Sequence, residues 1–199
     1  VTLLEESLSN GMSLQSSFGQ TGSSIPCGDP GFDSLVSVGG TEHAALSFLS
    51  HSVRALFMDA IALREFSFKS GHASCEILGG SGGLEALETA LAQLSSLLDK
   101  LSEQARPVLG GLVHNAVHDL SAGVRRHNAR AVLHDFGNTF EARLLARTLL
   151  ADSDPELRLL AASAPEVDGH AALLELVEST ELPSKLRGRA LRVAIERMS

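Results

Sequence analysis

His114 and His118 stand four residues apart, a spacing that sets both imidazoles on one face of a helix, and Asp119 follows directly. Two such rings could share a divalent ion. The HExxH pattern needs a general-base Glu where this chain has Asn115, and no third ligand is marked, so both rings are expected to be metal-free. Cys75 lies close to His72, but a Cys/His nucleophile pair needs a third, orienting group, and a small buried apolar Cys is the simpler reading. Gly79-Gly80-Ser81-Gly82-Gly83 precedes a helix, where backbone N–H groups could cradle an anion. No Lys-Ser or Lys-Thr follows as a phosphate loop requires, so the run reads as a helix connection. The remaining group is cationic: Arg125, Arg126, Arg130, Arg143 and Arg147. Helical phasing puts Arg126 with Arg130 and Arg143 with Arg147, a strip of planar forks suited to carboxylates or phosphates. We expect it to bind an acidic segment of a protein partner. Pairing with Asp152, Asp154 and Glu156 inside the chain is the competing expectation.

A second His-Asp pair lies in Ala131-Val132-Leu133-His134-Asp135-Phe136-Gly137. This segment resembles the metal-binding motif of HD-domain phosphohydrolases, which implies His134 and Asp135, with His114 and His118 upstream, as an alternative metal set. It also resembles the His-Asp-Phe-x-Asn box of histidine kinases, with Asn138 in register, which implies His134 as a phosphoacceptor. The preferred reading is structural: a His in the last turn of a helix interacts well with the helix dipole, and Gly137 can end the helix in a left-handed cap. No catalytic residue and no cofactor are therefore expected.

The frame that must position these groups is helical. The chain has 199 residues, no Trp, no Tyr and 44% hydrophobic residues, mostly Leu and Ala, which favours helix over a sandwich or barrel. A chain of about this length buries enough surface to need no disulfide or metal. Cys27 and Cys75 form no CxxC pair, and with no apolar run near the roughly 18 to 20 residues of a membrane helix, a reduced cytoplasmic protein without a membrane partner is expected. Net charge is −8, which argues against nucleic acid as a general partner. Basic character is local: residues 1–50 hold five acids and no Lys or Arg, whereas residues 101–150 hold six Arg against four acids.

Residues 1–34 are crowded with Ser and Gly and read as a tail or loosely packed segment; residues 35–199 read as one helical domain. Ala45, Leu46, Leu49, Val53 and Leu56, and then Leu84, Leu87, Leu91, Leu94, Leu98 and Leu101, recur at helical spacing. Val124-Arg125, Leu157-Arg158 and Leu186-Arg187 each open an amphipathic helix, 33 and then 29 residues apart, and Val53-Arg54 fits the same phase. Leu149 to Glu156 runs from a helix end through an Asp/Ser/Pro turn into the next helix, since Asp caps the backbone N–H groups and Pro155 sits in the first turn.

These residues resemble the HEAT-repeat family over residues 107–199. The Gly pairs of Leu35 to Gly40 and Leu78 to Leu84, each before a Leu-rich helix, resemble armadillo repeats. The resemblance implies an all-α, armadillo/HEAT-like right-handed superhelix of stacked helix pairs, serving as a non-catalytic protein-binding scaffold or adaptor. End-to-end self-association goes with such stacking, and the charges of the final helix (Arg189, Arg192, Glu196 and Arg197) suit a solvated cap.

Overall fold

The computed structural model describes residues 13–16, 24–60, 67–69, 72–74, a subset of positions within 88–103, 106–165 and 167–198. Cys75, Gly79 to Gly83 and most of the Leu84 to Leu101 stripe lie outside the described residues. The chain is mostly helical, as its composition implies, with β1 (Ser13–Ser16), α1 (Pro30–Asp33), β2 (Val36–Gly39), α2 (Glu42–Phe48), α3 (His51–Ala60), β3 (Ser67–Lys69) and β4 (His72–Ser74) leading to α4 (Val108–His118), α5 (Ala122–Asp135), α6 (Phe140–Leu149), α7 (Pro155–Ala162), α8 (His170–Glu178) and α9 (Ser184–Met198).

The four short strands form an antiparallel sheet in the order β2-β1-β3-β4, a feature the helical reading did not include. In β2, Val36 and Val38 are buried while Ser37 and Gly39 are half-buried, the two-residue alternation of a strand with one face on a core.

Residues 24–34, expected within the loose segment, are packed as a strap. Cys27 and Phe32 are buried, and burial pushes the Cys27 thiol up to about 12, with the Asp33 carboxylate adding to the shift. Asp29 caps α1 by accepting from the Gly31 and Phe32 amides, and Asp33 accepts from the Cys27 and Gly28 amides at 2.9 and 3.1 Å. Gly28 has φ +94°, and its backbone lies so close to the start of α5 that a Cβ on Gly123 would sit 2.0 Å from the Gly28 carbonyl oxygen. Only two glycines facing each other permit that approach. The Ser121 hydroxyl donates to the same carbonyl at 3.3 Å.

Arg54 locks the strap to the helices. It is 2% exposed, and its Nη1 and Nη2 fork onto Asp119 at 2.8 and 3.0 Å, while Nε donates to Asp29 at 3.0 Å and Nη1 also to the Leu49 carbonyl at 2.8 Å. Burial works against the charge, but the hydrogen bonds and attraction of Asp119 raise the Arg54 pKa above its ordinary value. The bidentate geometry satisfies most of a guanidinium that water cannot reach. Nearby, Asn115 donates to the Leu46 and Ser47 carbonyls at 2.8 and 3.1 Å, stitching α4 to the end of α2.

From α4 onward each helix packs on its successor, and α4 also meets α6 as α5 meets α7. One core runs from the strap and α2 through α4, α5 and α6 into α7. A second, of Leu159, Ala162, Leu173, Leu176, Leu186, Ala190 and Ala194, joins α7, α8 and α9, and the half-buried Leu150 packs against both. Caps follow the sequence: Ser121, Thr139 and Asp154 accept from amides in the first turns of α5, α6 and α7. No helix among the described residues is long and apolar enough to cross a membrane.

Candidate functional site

The end of α5, the turn into α6 and the turn after α7 enclose a cleft of about 370 Å³. Its lining is mixed: Leu133, Phe136, Ala142, Ala146, Ala164, Pro165 and Val167 are apolar, while His134, Asp135, Asn138, Thr139 and Arg143 bring polar groups. The turn is held by Thr139, whose amide and hydroxyl both donate to the Phe136 carbonyl, at 2.9 and 2.8 Å, and whose Oγ1 accepts from Ala142. Gly137 does not supply a left-handed cap. Among the described residues the glycines with positive φ are Gly28 and Gly40, and Gly137 matters instead for space, since a Cβ there would meet the Leu133 carbonyl at 2.8 Å.

At the mouth of the cleft Asp135 is held by two imidazoles. His134 Nδ1 lies 2.5 Å from its Oδ1, and His43 Nε2, reaching across from α2, lies 2.8 Å from its Oδ2. The hydrogen bonds from His134 and His43 hold the Asp135 carboxyl below its usual pKa, so it is an acceptor only and both facing ring nitrogens carry hydrogen. The other nitrogens, Nε2 of His134 and Nδ1 of His43, remain for other contacts, and the His134 side chain is 83% exposed. The His43 ring also meets Phe136 edge-on, with centroids 5.3 Å apart, joining the Asp135 cluster to the cleft wall. The sequence gives no sign of His43, which sits in the first turn of a helix 92 residues from Asp135.

The arginine strip divides. Arg125 donates to Asp152 at 3.3 Å and to the Asp119 carbonyl at 3.1 Å, and Arg126 donates to Asp154 at 2.8 Å. These two close the α5–α7 contact, as the competing intramolecular reading holds. Glu156 takes Arg189 of α9, with Nη1 at 2.8 and 3.1 Å from its two oxygens. Arg130 is exposed on α5, whereas Arg143 lines the cleft and Arg147 is exposed one turn further along α6. Beside them on α6, Phe140 and Leu144 are 69% and 53% exposed.

The proposed metal-set residues separate into two places. His114 and His118 lie ring to ring on α4, with centroids 4.9 Å apart, and burial, followed by Arg106 and His118, pushes the His114 pKa down. His134 and Asp135 are at the cleft. Among the described residues no three His, Cys, Asp or Glu side chains are grouped to hold an ion. No family model matches the sequence, and neither a curated protein nor a solved structure matches it.

Proposed function

We propose that the protein is a non-catalytic scaffold or adaptor, built as an armadillo/HEAT-like right-handed superhelix, that holds an acidic and apolar segment of a partner protein along α6 and in the adjoining cleft. The observation that carries this reading is the juxtaposition on one short helix of exposed Phe140 and Leu144 with Arg143 and Arg147, beside a cavity of binding-site size. Apolar anchors set beside a cation suit a peptide that presents a Leu or Phe near an Asp or Glu. The near-neighbour packing of α4 to α9 supports the stacked-repeat architecture. Pairing of Arg125 and Arg126 with Asp152 and Asp154 takes two cations out of the strip, which speaks against a phosphate backbone as ligand. A cytoplasmic location suits the free thiol of Cys27.

The test is selection from a displayed library of acidic-apolar peptides, followed by titration of the best peptide. Arg143→Ser/Arg147→Ser is expected to weaken binding about tenfold or more, and Phe140→Ser similarly, whereas Arg130→Ser leaves it unchanged. No selected peptide, or equal binding by all variants, overturns the reading.

A second reading rests on the Asp135-held ring of His134, whose exposed Nε2 is suited to accept a phosphoryl group. Acid-labile phosphate on the protein, lost in His134→Ala, distinguishes it from the scaffold.

A further inference from the structure

The final helix is buried on one side and solvated on the other. Its inner side, Leu186, Ala190 and Ala194, is buried in the second core, and Arg197 folds back to donate to the carbonyls of Val167, at 2.8 Å, and Ala164. Its outer side carries two parallel strips. Leu191, Ile195 and Met198, 48%, 56% and 76% exposed, follow the spacing of one helix face. Arg192 and Glu196, both exposed, run alongside.

We propose that a second copy of this chain covers the apolar strip, with the two α9 helices antiparallel about a two-fold axis close to Ile195. The charge pattern selects this arrangement. With Leu191 level with the partner's Met198, Arg192 comes within about 1.5 Å, along the axis, of the level of the partner's Glu196. A two-fold axis brings the same flank of each helix together, so Arg192 meets the partner's Glu196 while Glu196 meets the partner's Arg192. A parallel pairing would instead set Arg192 level with the partner's Arg192 and lose both ion pairs. The strip is small beside the roughly 800 Å² per partner of a stable interface, so the dimer is weak and forms at high concentration.

Sedimentation equilibrium of the full chain, from about 5 µM to about 1 mM, reads the mass directly. The wild type is expected to rise from 20.9 kDa toward twice that value, and Ile195→Glu to stay at the monomer mass with an unchanged helical circular-dichroism spectrum. Arg192→Glu and Glu196→Arg should each weaken the dimer about tenfold. Arg192→Glu/Glu196→Arg should restore it, which a merely structural role for either residue would not produce. A monomer at all concentrations overturns the proposal, as does a dimer indifferent to Ile195→Glu or a charge swap that fails to restore association.

Discussion

The dipeptide His-Asp occurs at the ends of two successive helices, as His118-Asp119 at the C-terminus and cap of α4 and His134-Asp135 in the last turn of α5, and the two aspartates have opposite surroundings. Asp119 is 4% exposed and takes the fork of a buried arginine. Asp135 is 38% exposed and is held by imidazoles at the mouth of a cleft. The dipeptide itself assigns no role. What differs is the element that runs past each helix end: the strap and α3 close over Asp119, whereas among the described residues Asp135 is met from another element by the His43 ring, beside an open cleft.

The largest expected effect comes from breaking the buried member. Asp119→Ala leaves the Arg54 charge without its fork in a water-free site, and should cost about 3–5 kcal/mol in urea unfolding. Replacing both partners, in Arg54→Leu/Asp119→Leu, should recover part of that loss, because the two fully buried charges leave together and the partly exposed Asp29 alone loses its cation.

Next is Asp29, which shares Arg54 from the strap side. Burial opposes its ionisation, but hydrogen bonds from the Phe32 amide, Arg54 and the Gly31 amide outweigh it and lower the folded pKa below 3.8. Its unfolded form therefore binds protons first as pH falls. The stabilisation is complete well above pH 3.8 and is lost as pH drops through the folded value. Asp29→Asn keeps an acceptor for the α1 amides but removes the charge facing Arg54. It should cost about 1 kcal/mol at neutral pH, and the difference from wild type should shrink in acid-unfolding curves.

The smallest effect on folding belongs to Asp135→Asn. The unfolding midpoint should fall only slightly, because the imidazole bonds that lower the Asp135 pKa are solvent-exposed, while the affinity for an acidic peptide should rise about two- to threefold as one negative charge leaves the cleft mouth, more strongly at low salt. A large loss of stability would erase the contrast between the two aspartates.

The helical second half of the chain could be read from local pattern. The Asp152-Ser153-Asp154-Pro155 turn, the cap at Asp154 and the helices opening near Val124, Leu157 and Leu186 all depend on neighbours a few residues away. His134 and Asp135 were visible for the same reason. The strap was not: the Ser, Gly and Pro around Cys27 to Asp33 have no helical period, and the order there comes from Arg54, Gly123 and Ser121, distant in sequence. Leu35 to Gly40 shows how a short alternation can be passed over, since Val36 and Val38 make a strand only because another strand lies beside them. The arginine cluster was legible as charge but not as a division of labour, because Arg125 and Arg126 find their acids beyond α6, in the turn that opens α7.

The close backbone meeting of Gly28 with Gly123 also bears on the order in which the molecule assembles. The bond from Ser121 to Gly28 closes a loop of 93 residues, whereas α7, α8 and α9 bury their core among near neighbours. Closing long loops costs more chain entropy before any contact offsets it, so the C-terminal helices can form early and the strap docks late. A clasp of that kind leaves the folding rate nearly untouched when it is weakened and appears instead in how fast the native state opens. Residues 24–34 would thus act as a brake on unfolding, preceding in the sequence the helices they hold and engaged only after those helices are in place.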